Sequence, residues 1–210
     1  MKLVLYDYYR SSASYRVRIA LNLKGAAYER VPVNLLEGEQ GDEAYRARNP
    51  QGLVPMLEAN GERITQSLAI IGWLDRSIAD PPFSPADSAD RAHVVALALT
   101  IAADIHPLNN LRVLKHLAGL GIDQAARDDW YRHWIREGFG ALEALAAPRA
   151  GRHLFGDSVT VADICLVPQM YNARRFEVDL SPYPTLVAAD ANACALDAFA
   201  AAHPDRCVPD

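Results

Sequence analysis

The chain has 210 residues, 50% of them hydrophobic and 22% charged, enough apolar material for one large domain or two small ones. Against 26 Asp and Glu stand 21 Lys and Arg, and the net charge of −5 leaves no basic excess to neutralise nucleic-acid phosphates. No apolar run approaches a membrane span, and the opening MKLVLYDYYR is too short and too aromatic for a signal peptide.

In chain order, Lys2 to Tyr6 reads as a short apolar strand. A polar turn from Asp7 to Ser14 leads to a helix over Tyr15 to Lys24, and Gly25 supplies its stop signal. Tyr28 to Val33, rich in β-formers, is a second strand. Gly41 to Arg48 is a short helix that ends where Asn49-Pro50 forbids continuation. Pro55 to Ala59 and Arg63 to Thr65 form two strands joined at Asn60-Gly61, a type I′ hairpin signal. Gln66-Ser67 then opens a helix with apolar Leu68, Ile71 and Leu74 at helical spacing. The order β-α-β-α-β-β-α, with a first parallel pair and a final hairpin, predicts a thioredoxin-like α/β domain over residues 1–79.

Two places in this half look chemical. A strand entered through Val54-Pro55 leaves the Val54 amide and carbonyl outside the ladder, where an extended peptide can pair with them, and the bond is a candidate for the cis form. At Gln66-Ser67 an amide, a hydroxyl and unpaired N–H groups converge at a helix N-terminus, which suits a carboxylate; an ordinary N-cap uses the same residues.

Prolines at 81, 82 and 85 break the pattern, so 80–87 is a linker. Residues 88–210 then carry no strand signal and form an all-α second domain. Its helices are expected over Ala92 to Leu117, Gln124 to Ala147, Val161 to Phe176 and Pro184 to Ala202. Trp130 and Trp134 lie at i, i+4 and read as a core stripe. Thr160 and Asp163 form a capping box, flanked by Val159 and Ile164 as a hydrophobic staple. Cys165, Cys194 and Cys207 are odd in number and widely spaced, which favours reduced thiols in the cytoplasm over a metal site or a disulfide framework. Gly119-Leu120-Gly121 lacks the strand, third glycine and acidic partner of a nucleotide loop.

A thioredoxin-like half, a proline linker and a helical half together resemble the cytosolic glutathione transferases. The segment Arg10-Ser11-Ser12-Ala13-Ser14-Tyr15-Arg16-Val17-Arg18-Ile19-Ala20-Leu21 is similar to the zeta-class signature, Ser-Ser-Cys, a variable pair and Arg-Val-Arg-Ile-Ala-Leu. Asn49-Pro50, Val54-Pro55, Gln66 to Ile71, Asp104 to Pro107, Leu166 to Gln169 and Arg175 to Leu180 with Pro182-Tyr183-Pro184 fit the same class. The resemblance implies a glutathione-dependent cis–trans isomerase of the maleylacetoacetate or maleylpyruvate type, acting as a homodimer. The family's cysteine is Ala13 here, which argues against reductive dehalogenation, where that cysteine resolves a glutathione adduct. Isomerisation uses the sulfur of glutathione itself. A glutaredoxin-like oxidoreductase would need a cysteine in the same turn. A general glutathione transferase and a non-enzymatic glutathione-binding protein of the same fold are the other readings.

Isomerisation of this kind requires a thiolate to add beside a carbonyl, a bond rotation, and departure of the thiolate. Ser11 is assigned to the thiolate: its hydroxyl can donate to sulfur at a helix N-terminus, or it can serve as the helix cap. A charge-assisted hydrogen bond of roughly 1.5–3 kcal/mol lowers a thiol pKa by about one to two units, enough to populate thiolate near neutrality. Ser12 is a second donor or the true cap. By the resemblance, Val54 pairs with the cysteinyl part of glutathione, Gln66 and Ser67 take its γ-glutamyl carboxylate, and Gln40 reaches the glycyl end. Asp104 meets the γ-glutamyl amine across a dimer interface, or is a solvated charge. Diacid substrates call for arginine forks, assigned to Arg10, Arg112 and Arg175. His106 either moves a proton and binds an anion or is a structural hydrogen-bonder. Arg16, Arg18 and Arg174 read as surface or interdomain ion pairs.

Overall fold

The computed structural model describes residues 1–209 and divides into two compact units, Met1–Pro82 with the stretch from Leu196, and Phe83–Ala195. In the first unit, β1 (Leu3–Asp7), β2 (Glu29–Pro32), β3 (Met56–Ala59) and β4 (Glu62–Thr65) form one sheet in the order β2-β1-β3-β4. The pair β1·β2 is parallel and the other two pairs are antiparallel, so Leu5 lies opposite Leu57, and Leu57 opposite Ile64. Positive φ at both Asn60 (50°) and Gly61 (93°) is what a type I′ hairpin requires.

Helix α1 (Ser12–Leu23) begins three residues before the expected Tyr15, because Ser11 takes the cap and draws Ser12 to Ser14 into the first turn. It is buried on most sides from Ser14 to Leu21, with Val17, Ile19, Ala20 and Leu21 fully enclosed. Helix α2 (Glu43–Arg46) is shorter than expected and follows a 3-10 turn at Glu39–Gly41. Helix α3 (Ser67–Ser77) buries Ile70, Ile71 and Leu74, while Leu68 is only half-buried. Lys24, itself buried, donates to Asp75 at 3.0 Å and to the carbonyls of Ile78 and Pro81 at 2.6 Å, closing the C-terminal end of α3.

The second unit is helical. The single helix expected over Ala92 to Leu117 is instead α4 (Ser88–Leu99), a π-helical turn at Thr100–Ile105, and α5 (Leu111–Gly119). The His106 amide reaches back five residues to Ile101 at 2.9 Å, Pro107 has no N–H to continue, and Asn110 caps a new helix by accepting from the Arg112 amide at 3.1 Å. Long α6 (Gln124–Ala146) follows, then α7 (Val161–Arg175) and α8 (Pro184–Cys194). The core stripe of α6 is Tyr131, Ile135, Phe139, Leu142 and Ala146; the two tryptophans expected there are half-buried, ring to ring at 5.6 Å beside it. At the start of α7 the capping box is formed as expected, with Asp163 accepting from the Thr160 amide at 2.8 Å. Asp163 also takes the Leu154 amide at 2.9 Å, and burial raises its pKa above the ordinary carboxylate range while these hydrogen bonds work against the rise.

The helix expected from Pro184 to Ala202 ends at Cys194. Leu196 turns extended (φ −84°, ψ 134°) and α9 (Asp197–Ala201) packs on α1. The stretch from Leu196, expected with the helical half, thus belongs by its contacts to the first unit. It is held there through main-chain oxygens: Asn22 donates to Ala198 at 3.0 Å, Arg18 to Ala202 at 3.1 Å, and Arg30 to Cys207 at 2.9 Å.

Candidate active site

The alternation that points Leu3 and Leu5 into the core carries Asp7 inward as well, so β1 ends on a fully buried carboxylate. Such a charge needs a partner. Arg18, 11 residues on and carried by α1, supplies it at 2.6 Å, and Arg30 adds a second contact at 3.2 Å. Arg18 was expected at a surface or interdomain ion pair; it is wholly buried, as Arg16 nearly is, because α1 is enclosed at both positions. Arg174 does form an ion pair, 2.5 Å from the buried carboxylate of Asp190.

After Asp7 the chain makes a turn, Tyr8 to Ser11, closed by the Ser11 amide donating to the Tyr8 carbonyl at 2.9 Å. Ser11 is half-buried and is the N-cap of α1: its Oγ accepts from the Ser14 amide at 3.3 Å. Capping uses an oxygen lone pair and leaves the hydroxyl proton free to be donated elsewhere. The cap and donor roles are therefore compatible on one side chain. Arg10 is exposed beside it, Ser12 is buried in the first turn of α1, and Ala13 is half-buried.

A second group of candidates lies on the loop before β3 and at the start of α3. Asn49 organises the loop: its Nδ2 donates to the Leu53 carbonyl at 2.7 Å and its Oδ1 accepts from the Gln51 amide at 3.2 Å. The Tyr45 hydroxyl donates to the same carbonyl at 2.7 Å, and burial pushes its pKa up to about 12. The next residue, Val54, precedes a cis bond to Pro55 and stands outside both strands; its amide and carbonyl take no partner among the described residues. Gly52, with φ of 61°, passes the Gln40 carbonyl so closely that a Cβ would sit 2.9 Å from it, which brings Gln40 against this loop. The side-chain oxygen of Gln40 is buried without a hydrogen-bond partner.

Gln66 holds a left-handed φ of 70° at the N-cap of α3, and its amide donates to Gln51 Oε1 at 2.9 Å. Ser67 opens the helix, buried, with its Oγ 3.4 Å from Arg16 Nη1. The Gln66-Ser67 pair is thus not a side-chain cap: no side chain satisfies the first turn of α3. An unpartnered main-chain edge at Val54, an unsatisfied carboxamide oxygen at Gln40 and an open helix N-terminus at Ser67 fit an extended peptide that carries a carboxylate, as glutathione does.

The remaining candidates belong to the helical unit. Asp104 is exposed and His106 half-buried at the π-helical turn, a local geometry that recurs at functional sites. Arg112 is exposed in the first turn of α5. A turn over 106–109 and a new N-cap at Asn110 separate His106 from Arg112, so the two do not share one continuous helix. Arg175 is exposed at the end of α7, its guanidinium 5.8 Å from the Tyr171 ring and 5.7 Å from the Phe176 ring, with Nη1 3.4 Å from Asn172 Oδ1. Phe176 in turn stacks on Tyr131 at 3.7 Å, and burial pushes the Tyr131 phenol up to about 12. These contacts pre-set one direction for a planar cation that remains open to solvent. No group of three metal-ligating side chains exists among the described residues, and no helix there is long and apolar enough to cross a membrane.

Sequence reasoning gave no role to the Asp7 carboxylate or to Gln51, took Arg18 for a surface or interdomain pair, and read Asn49 only as a helix stop and a family match. For Asp7 a signal existed, since it continues the inward alternation of Leu3 and Leu5 and so demands a buried cation. Asn49 and Gln51 act through loop geometry that no periodicity announces.

Residues 5–82 match the family model for the glutathione S-transferase N-terminal domain. Over 98% of both chains the sequence is 53% identical to the maleylacetoacetate isomerase of Rhizobium meliloti (strain 1021). Among solved structures, the holo form of a maleyl pyruvate isomerase, described as a bacterial glutathione S-transferase of the zeta class, superposes with a TM-score of 0.95. It is 48% identical, and the match covers 100% of this chain and 99% of that one. The maleylacetoacetate isomerase of Anaeromyxobacter dehalogenans 2CP-1, with glutathione bound in its active site, superposes with a TM-score of 0.89 at 45% identity, covering 100% of this chain and 97% of that one. By fold, by the serine turn and by identity along its whole length, the chain belongs to the zeta-class glutathione transferases, the family of the maleylacetoacetate and maleylpyruvate isomerases.

Proposed function

We propose that this protein is a glutathione-dependent cis–trans isomerase of maleyl-type diketo acids, converting maleylpyruvate or maleylacetoacetate to the fumaryl isomer in the breakdown of aromatic compounds. The observation that carries the reading is Ser11: its Oγ is fixed by the Ser14 amide at 3.3 Å, with its proton left to donate, beside the exposed Arg10. Bound glutathione supplies a thiolate that adds reversibly to the cis double bond and so permits rotation about it.

The chain's own residues do the rest. The Val54 main chain, Ser67, Gln66 and Gln40 hold the tripeptide, with Ser67 and the open N-terminus of α3 on its γ-glutamyl carboxylate. Ser11 donates its hydroxyl proton to the sulfur, and the N-terminus of α1 adds positive potential at the same place, favouring the charged form. Arg10 and Arg175 bind the substrate carboxylates, and Arg112 is the third fork available to a diacid. His106 stands in reserve as a proton carrier or anion ligand. Asp104 meets the γ-glutamyl amine from the second subunit of a homodimer, and the enzyme works in the cytoplasm, where free glutathione is abundant and its three cysteines stay reduced.

A spectrophotometric assay of the pure protein with maleylpyruvate and with maleylacetoacetate, each with and without glutathione, tests this. Glutathione-dependent isomerisation is expected, and the ratio of kcat/KM values identifies the physiological substrate. Glutathione binding with no turnover of either diacid would refute the isomerase and leave a general transferase or a binding protein.

A further inference from the structure

Two of the donors on Arg18 are accounted for by charge and by docking: Nη1 meets Asp7 at 2.6 Å, and Nε meets the Ala202 carbonyl at 3.1 Å. The third does something different. Nη2 donates to the carbonyl oxygen of Tyr9 at 2.8 Å. In the turn closed by Ser11 N–H and the Tyr8 carbonyl, Tyr9 and Arg10 are the two central residues, and the Tyr9 carbonyl belongs to the peptide that joins them. That peptide plane is the one that flips when a turn changes type, and its rotation redirects the side chain that follows it. A rigid guanidinium, wholly buried and anchored on a wholly buried carboxylate, fixes it.

We propose that Arg18, anchored by Asp7, is a positioning residue of the isomerase site. It locks the Tyr9–Arg10 peptide plane, and through it the direction of the Arg10 side chain and the seat of the Ser11 hydroxyl. The inference rests on the reading of Ser11 and Arg10 given above. Arg18 touches neither glutathione nor substrate; it acts only through the turn. A lysine keeps the charge beside Asp7 but lacks the planar fork that reaches two carbonyls and a carboxylate together. Arg30 offers an internal control, since it shares Asp7 at 3.2 Å and donates to the Cys207 carbonyl at 2.9 Å, but donates no hydrogen bond to the turn.

The test compares wild type, Arg18→Lys and Arg30→Gln by three readouts. The first is amide hydrogen exchange at Arg10 and Ser11 in the protein without glutathione. The second is the thiol pKa of bound glutathione, from thiolate absorbance against pH. The third is the separation of kcat from the glutathione KM. In Arg18→Lys the Ser11 amide should exchange at least tenfold faster, the bound thiol pKa should rise by about one unit, and kcat should fall at least tenfold, with glutathione KM within about threefold of wild type. Arg30→Gln should leave all three near wild type. Unchanged exchange and thiol pKa in a folded Arg18→Lys would overturn the proposal, and so would equal losses in Arg30→Gln, which would mean general loosening. If Arg18→Lys does not fold, the paired change Asp7→Asn with Arg18→Gln removes the buried charges together and is judged by the same outcomes. An inactive wild type would sink the isomerase reading alone, because the exchange measurement needs neither glutathione nor substrate.

Discussion

Gly138 on α6 passes Ile105 so closely that a Cβ at residue 138 would stand 2.2 Å from the isoleucine Cγ1. Ile105 is 1% exposed and closes the π-helical turn that splits the expected long helix in two. The isoleucine at the end of the widened turn thus packs where α6 presents a glycine and no side chain. Gly138→Ala should therefore destabilise the protein by about 1–3 kcal/mol, because a buried isoleucine has little room to retreat. Urea unfolding checks this, and an unchanged midpoint would show that the contact relaxes freely.

Ser11→Ala removes a cap and, on the proposed mechanism, a donor to sulfur. The cap alone is worth about 1 kcal/mol of stability. Ser11→Asn restores the cap with its side-chain oxygen but places a larger, differently directed donor there. We expect Ser11→Ala to lower kcat at least tenfold with little change in glutathione affinity by calorimetry. Ser11→Asn should recover stability without recovering turnover. Wild-type turnover in Ser11→Ala would remove Ser11 from its assigned role.

Arg10→Ala and Arg175→Ala should act on the diacid and leave the tripeptide alone. Losing a bidentate carboxylate contact should raise the substrate KM by roughly 10- to 100-fold, on the order of 1.5–3 kcal/mol for a hydrogen-bonded charge. Arg175→Lys should recover only part of this, since the ammonium lacks the planar face that now lies near Tyr171 and Phe176. Steady-state kinetics with glutathione and diacid varied in turn separate the two effects. An arginine variant that weakened glutathione and spared the diacid would reverse the assignment.

Alkaline pH offers an independent probe of the helical core. Burial holds the Tyr131 phenol at a pKa of about 12, with the Arg175 guanidinium only partly opposing the rise. An unfolded tyrosine ionises near pH 10. The folded state thus keeps a proton that the unfolded state has lost, so the contribution to stability is fully present below about pH 10 and is lost as pH rises towards about 12. Each such group steepens the decline by up to about 1.4 kcal/mol per pH unit, and Tyr45, also at about 12, adds its own share. In Tyr131→Phe the fall measured by urea unfolding between about pH 10 and 11 should be shallower. Parallel curves would show that Tyr131 ionises as readily folded as unfolded.

The features that announced themselves in the sequence are those whose partners lie nearby in the chain. The Thr160–Asp163 capping box closes across one helical turn, and the Asn60-Gly61 hairpin needs only two positive φ angles. The Arg10-Ser11 turn belongs with them, because strand, turn and helix start follow one another directly. Partners that arrive from elsewhere were illegible. Nothing local tells Arg18 from the arginines that form exposed pairs; its burial depends on the Asp7 carboxylate and on the late arrival of Ala202. The packing of the turn at Thr100–Ile105 likewise involves Gly138, far along the chain, which the 3.6-residue rhythm of the helix does not register.

The C-terminal stretch is held by Arg18, Asn22 and Arg30 through the carbonyls of Ala202, Ala198 and Cys207. Every residue type carries that oxygen. An alanine scan along the stretch would leave these three attachments in place and would report the segment as dispensable to them. A protease cut ahead of it would remove all three at once. These attachments are thus indifferent to spelling so long as the backbone path is kept, and a comparison of letters alone would undervalue a segment held in part by its course through space.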